Sequence, residues 1–100
     1  MTTEAQIDEK ITVSLQPAKK YKVVFLNDDK TPMEFVIGVL TEIFKHNESQ
    51  AKELTLEIHN TGSAVVGVYT HEIAEQKGID TTAAARQNGF PLQVTIEPDA

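Results

Sequence analysis

Residues able to do chemistry are few in this chain, and they concentrate in two places. Asn27, Asp28 and Asp29 follow one another directly, and together they offer two carboxylates and an amide beside an apolar run. Such side chains bond nearby backbone groups, stop strands and favour turns. A strand end handing over to a helix is also where scaffolds commonly present binding groups. By spacing alone the cluster therefore reads either as a turn followed by helix-start acids or as a polar binding site. His59 is the second place. It follows the apolar Ile58 near the end of a helical pattern, where the helix dipole favours a protonated ring, and by itself it reads first as a surface or satisfied histidine. His46 and His71 stand at helix boundaries beside polar residues, which suits solvated or capping roles.

Several chemistries find no support. The chain has no cysteine, which removes disulfides, thiol nucleophiles and thiolate metal sites together. No His, Asp or Glu pair among the candidate ligands has the i, i+3 or i, i+4 spacing typical of helical metal sites, so no metal and no other cofactor is expected. Ser14, Ser49 and Ser63 lie in a terminal segment, a helix start and a turn, none of them a nucleophile-elbow setting. No glycine loop suited to phosphate is present. The expectation is a protein that is not an enzyme.

Charge narrows the partners. Fifteen acidic against nine basic residues give a formal charge of -6, which repels a phosphate backbone unless the basic residues cluster. Only Lys19, Lys20 and Lys22 are close together, and they precede a strand, so nucleic acid is not an expected partner. No apolar run approaches the roughly 20 residues of a spanning helix. Residues 1–10 are polar and acidic, unlike a secretory signal. A cytoplasmic protein without membrane association is expected.

The elements that must position the polar residues follow from periodicity. Residues 1–18 carry no sustained period and little apolar surface, and are expected to be a flexible tail, with residues 19–100 forming one domain. Residues 21–26 (YKVVFL) predict a buried strand. Thr31-Pro32-Met33-Glu34 predicts a helix start capped by Thr31, with Glu34 bonding back. Met33, Val36, Ile37, Leu40 and Phe44 give its stripe, widened by Phe35, Val39 and Ile43 until most of the circumference is apolar. Gly38 inside it suggests that another backbone passes close. Asn47 and Gln50 predict a second capped helix with Ala51, Leu54 and Ile58 on one face, ending at Gly62. Residues 64–69 (AVVGVY) predict a buried strand with a bulge or close approach at Gly67. Thr70 is the expected cap of a third helix over residues 71–88, with a break expected near Gly78. Residues 91–97 predict a strand with one wet face. The order is β-α-α-β-α-β, an α+β fold with three helices on one face of a small antiparallel sheet.

The stretches VVFLNDDKTPMEFVIGVL and GVYTHEIAEQK, together with the His59 region and Phe90-Pro91-Leu92, resemble the ClpS family, bacterial adaptors of the ClpA and ClpC unfoldases in the N-degron pathway. The resemblance covers residues 21–97 and implies a fold similar to the C-terminal domain of the ribosomal stalk protein. It implies that Asn27, Asp28 and His59 hold a substrate's free α-amino group. Asp29, Thr31, Pro32 and Met33 would form the rim and wall, and Val36, Ile58 and Leu92 would line a space for a first side chain of Leu, Phe, Tyr or Trp. Met33 would crowd out β-branched first residues. Many relatives carry Met where this chain has Thr55, which implies a wider or wetter wall. Glu72 and Lys77 match the surface that docks on the unfoldase N-domain, and residues 1–18 would assist transfer. The chain is expected to act as a monomer.

An α-amino group has a pKa of about 8, so it is mostly cationic at neutral pH and needs acceptors when it leaves water. Asp28 would supply charge and Asn27 a carbonyl. His59 can accept only while its contacting nitrogen is unprotonated, so binding should weaken as that ring protonates. The other readings are a stalk-like interaction domain lacking the amino-group site and a small acid-dependent hydrolase using Asp28, Asp29 and His59. The hydrolase lacks any positioned nucleophile.

Overall fold

The computed structural model describes residues 19–99. The expected tail, residues 1–18, lies outside the described residues. Six elements follow in the expected order: β1 (Lys20–Leu26), α1 (Met33–Glu42), α2 (Glu48–Thr61), β2 (Ser63–Thr70), α3 (His71–Gln87) and β3 (Gln93–Pro98). The sheet order is β2-β1-β3, with both outer strands antiparallel to β1. A central strand is shielded by neighbours on both sides, which explains why Val23, Val24 and Phe25 are all buried. Val23 and Phe25 join Val36, Leu40, Phe44, Ala51, Ile58, Val66 and Leu92 in the core between sheet and helices. Phe25 and Phe44 meet edge to face, with centroids 5.4 Å apart.

Helix α2 keeps both of its sequence signals. The Asn47 side chain accepts from the Gln50 N–H at 2.7 Å, and Gly62 takes a left-handed φ of 99° at the other end, a conformation that costs glycine little. At the start of α1 the structure departs from the sequence reading. Thr31 does not cap. Pro32 occupies the cap position without a side-chain bond, because the Thr31 hydroxyl is turned back to Asp28. The turn motif has taken the group that the capping pattern reserved. Helix α1 ends at Glu42, and Ile43 bonds back to Val39; Phe44, placed on the helical stripe by spacing, packs in the core from just beyond it.

Three glycines were legible only in part. Among the described residues no atom outside its own helix backbone and chain neighbours lies within 4 Å of a Cβ built on Gly38, so none of them makes the backbone contact expected there. Helix α3 runs unbroken through Gly78. That residue is buried, and an added Cβ would sit 3.3 Å from Ile96 Cδ1 and 3.7 Å from Val94 Cγ1, so the missing side chain lets α3 lie directly on β3. The β1–β2 register skips between Val23 and Val24, leaving Val66 as the extra residue of a bulge beside Gly67. Thr70 is the cap residue of α3 but makes no side-chain bond. Strand β3 begins at Gln93, so Pro91 and Leu92 precede it.

Candidate functional site

Strand β1 ends by delivering Asn27 to the C-terminal end of α2. The Asn27 N–H donates to the Gly62 carbonyl at 2.9 Å, and the Gly62 N–H donates to Ile58 at 2.9 Å. The left-handed turn at Gly62 thus clips the loop after β1 onto the last turn of α2, the turn that carries His59. Within that loop the Asp28 carboxylate organises the backbone. Its Oδ1 accepts from the N–H groups of Lys30 (2.8 Å) and Thr31 (2.7 Å), and its Oδ2 accepts from the Thr31 hydroxyl (2.8 Å). A carboxylate has about four acceptor positions. Three are occupied here, and the remaining one lies on Oδ2.

Partial burial pushes the Asp28 carboxyl pKa up, but the Thr31 and Lys30 N–H bonds, the Thr31 hydroxyl and the Arg86 charge together outweigh it, holding the pKa below its ordinary 3.8. Asp28 is therefore an anion throughout the neutral range. Sequence reasoning missed Arg86. Its Nη1 donates to the Phe90 (2.8 Å) and Leu92 (3.0 Å) carbonyls, fixing the α3–β3 connection beside the loop. The only local signal was a cation in the last turn of a helix, which is common and uninformative.

Asn27, Asp28, Asp29, Thr31, Met33, Val36, Thr55, Ile58 and His59 line one cavity of about 280 Å³. Helix α1 contributes Met33 and Val36, one turn apart. Helix α2 contributes Thr55, Ile58 and His59 at i, i+3 and i+4, which share a face. Ligand pockets generally run from roughly 300 to 1,000 Å³, so this one has the scale of a single large side chain. The Thr55 hydroxyl donates to the Ala51 carbonyl at 2.8 Å. Its donor is spent inside its own helix, which makes the Thr55 wall less polar than the residue type suggests. The two lining hydroxyls, Thr31 and Thr55, thus donate to Asp28 and Ala51, and neither is paired with His59 as an activated nucleophile.

Of the other nominated wall residues, Leu92 is 2% exposed in the same core cluster as the lining residues Val36 and Ile58, and Pro32 stands between the lining residues Thr31 and Met33. On α3, Glu72 is exposed in the first turn. Lys77 is half-buried. Its ammonium donates to the Ile43 carbonyl at 2.7 Å and lies 5.3 Å from the Tyr69 ring centroid and 5.7 Å from that of Phe44, so it caps the C-terminal end of α1. Two further cavities, one between α1 and α3 and one between α3 and β3, lack a comparable convergence of acceptors. Among the described residues no group of three His, Cys, Asp or Glu could hold a metal ion, and no helix is long and apolar enough to cross a membrane.

What the site can do chemically is accept N–H groups from a cation at its mouth while an attached apolar body enters the hole. Comparison with known proteins shows the family to which the chain is similar. The family model described as ATP-dependent Clp protease adaptor protein ClpS matches residues 16–95. The ATP-dependent Clp protease adapter protein ClpS of Leptothrix cholodnii is 48% identical over 93 residues, covering 93% of this chain and 81% of that protein. The protein of the same name from Escherichia coli is 44% identical over 94 residues, covering 94% and 89%. The solved structure of Agrobacterium tumefaciens ClpS2 bound to L-phenylalaninamide superposes with a TM-score of 0.80 at 43% identity, covering 83% of this chain and all of that one.

Proposed function

The chain belongs to the ClpS family of ATP-dependent Clp protease adaptors, and on that premise we propose that its cavity captures the free α-amino group and bulky first side chain of N-degron proteins for delivery to a ClpA- or ClpC-type unfoldase. The observation that carries this reading is the convergence of Asn27, Asp28 and His59 on a cavity walled by Met33, Val36, Thr55 and Ile58. An α-ammonium has three N–H donors. The Asn27 carbonyl, the open position on Asp28 Oδ2 and an unprotonated His59 nitrogen supply three acceptors, one of them charged. Leu, Phe, Tyr or Trp then fills the apolar space, where burial contributes roughly 1.5 to 3 kcal/mol.

Support comes from the ligand of the Agrobacterium relative. L-phenylalaninamide pairs a free α-amino group with an aromatic side chain, and its amide stands in for the next peptide bond. Every group of the site here comes from one chain, so a single copy suffices. In this reading the protein performs no reaction of its own. Exposed Glu72 makes direct contact with the unfoldase, and Lys77 helps by holding the adjoining end of α1.

Fluorescence anisotropy with a Leu-starting peptide, its Nα-acetylated form and an Arg-starting control tests the proposal. Acetylation removes the charge and two donors, and should weaken binding by about 100-fold. Equal binding of both forms would overturn the reading. His59→Ala removes the third acceptor and should weaken the Leu-starting peptide by about fivefold or more; unchanged affinity would remove His59 as an acceptor.

The Thr55 wall sets side-chain preference. Thr55→Met places a longer apolar chain in the same position and narrows the cavity. Competition binding should show preference for Trp- and Phe-starting over Leu-starting peptides falling about three- to tenfold. An unchanged ranking would mean that Thr55 does not limit the space.

A further inference from the structure

The outer strand β3 combines an unpaired edge with an apolar groove. The Asp99 N–H donates to the Lys20 carbonyl at 2.9 Å, and Lys20 precedes the Tyr21↔Pro98 pair of the β1–β3 register. Antiparallel partners alternate between hydrogen-bonded and unbonded pairs, so this one bond fixes the phase. Gln93, Thr95 and Glu97 turn their backbone groups to β1. Val94 and Ile96 turn theirs outward, and among the described residues no partner meets them. The side chains of these same two residues lie against Gly78 on the α3 side. There they form one wall of a cavity of about 450 Å³ whose other wall includes Ile79 and Ala83. Ile79 is 55% exposed.

Native sheets usually blunt such edges with lysine, bulges or early prolines. The β1–β3 register is unbroken and β3 holds no lysine or arginine, with Pro98 only at its end, whereas β2 is interrupted by its bulge. The charges that line the groove and sit on the strand itself are carboxylates, Glu75 and Glu97, with Lys22 of β1 opposite Glu97 and Arg86 held at the Leu92 carbonyl before the strand begins. A second copy paired edge to edge would set the carboxylates together, while a cationic strand would be attracted.

We propose that the β3 edge and the α3–β3 groove form a strand-addition site for an extended segment of another protein, with β-branched or aliphatic residues at alternate positions and Lys or Arg beside them. Two residues of the incoming strand bond Val94 and Ile96, and one apolar side chain enters between Ile79 and Ile96. The site shares no lining residue with the α-amino cavity, so the two can be occupied together.

The test uses the isotopically labelled full chain and an Nα-acetylated, C-amidated Lys-Val-Thr-Ile-Lys-Val peptide, which the α-amino site cannot hold. Amide resonances of Val94 and Ile96 should shift and gain about tenfold or more protection from hydrogen exchange, while those of Asn27 and His59 stay in place. Ile79→Lys, at an exposed position, should weaken this peptide at least about fivefold through lost burial and repulsion, yet leave a Leu-starting peptide unaffected. Replacing both peptide lysines with glutamate should also weaken it. Absent shifts, shifts centred on Asn27 and His59, or insensitivity to Ile79→Lys would overturn the proposal. So would edge protection that exists without peptide and either grows with protein concentration, the mark of a second copy, or vanishes when residues 1–18 are removed.

Discussion

Asp28→Ala should lower affinity for a Leu-starting peptide by about 10- to 100-fold, because a hydrogen bond to a charged group contributes roughly 1.5 to 3 kcal/mol and each decade of affinity is about 1.4. The same change removes the acceptor for the Lys30 and Thr31 N–H groups, so some of the loss would come from a loosened loop. Asp28→Asn separates the two effects. Its amide oxygen can still accept both N–H groups, but it carries no charge. Affinity should fall nearly as far as in the alanine variant while the urea midpoint falls less. Acid dependence gives the independent readout. The native pKa of Asp28 lies below 3.8, so its stabilisation is full above the unfolded-state value and is lost as pH falls through the native one. The stability gap between the parent and Asp28→Asn should therefore be flat at neutral pH and shrink below 3.8. Peptide affinity within twofold of the parent in Asp28→Ala would show that the carboxylate does not hold the amine.

Leu92→Ala should act on stability alone. Leu92 is one of the largest fully enclosed side chains, and truncating a buried leucine costs about 2 to 5 kcal/mol through lost transfer energy and the cavity left behind. The cavity at Asn27 and His59 does not include it. The urea midpoint should drop sharply, and peptide affinity measured where the variant is still folded should stay within about twofold. A Leu/Phe preference that changed while stability held would return Leu92 to the binding wall, where the family resemblance had put it.

Local and long-range features differ in how far the sequence could disclose them. Helix α2 was legible at both ends because an Asn47 cap and a Gly62 stop are local signals, settled within one turn of chain. The element order was equally legible, since periods of two and 3.6 distinguish strands from helices. At Thr31 two local motifs competed for one hydroxyl, and the Asp28 turn prevailed over the helix cap. At Gly78 propensity counselled a break, but the packing of α3 onto β3 needed a residue without a side chain. The candidate site was nominated by resemblance, since no periodicity connects Asn27 with a histidine at position 59. Arg86 and the Asn27–Gly62 clip escaped for the same reason, as both join parts of the chain that only folding brings together.

That clip also decides how the walls of the cavity are tied together. Asn27 and Gly62 extend the β1–β2 ladder by one step beyond the Leu26↔Ser63 pair, and of all the pairs in that ladder theirs encloses the shortest stretch of chain. The entropic cost of closing a loop grows with the length enclosed, so this pair is the least costly of the ladder to close. Every residue that lines the cavity falls between Asn27 and His59, inside the stretch that the pair ties off. The cavity is thus one continuous segment knotted at its base, and loosening that knot would let the loop after β1 and the last turn of α2 drift apart together.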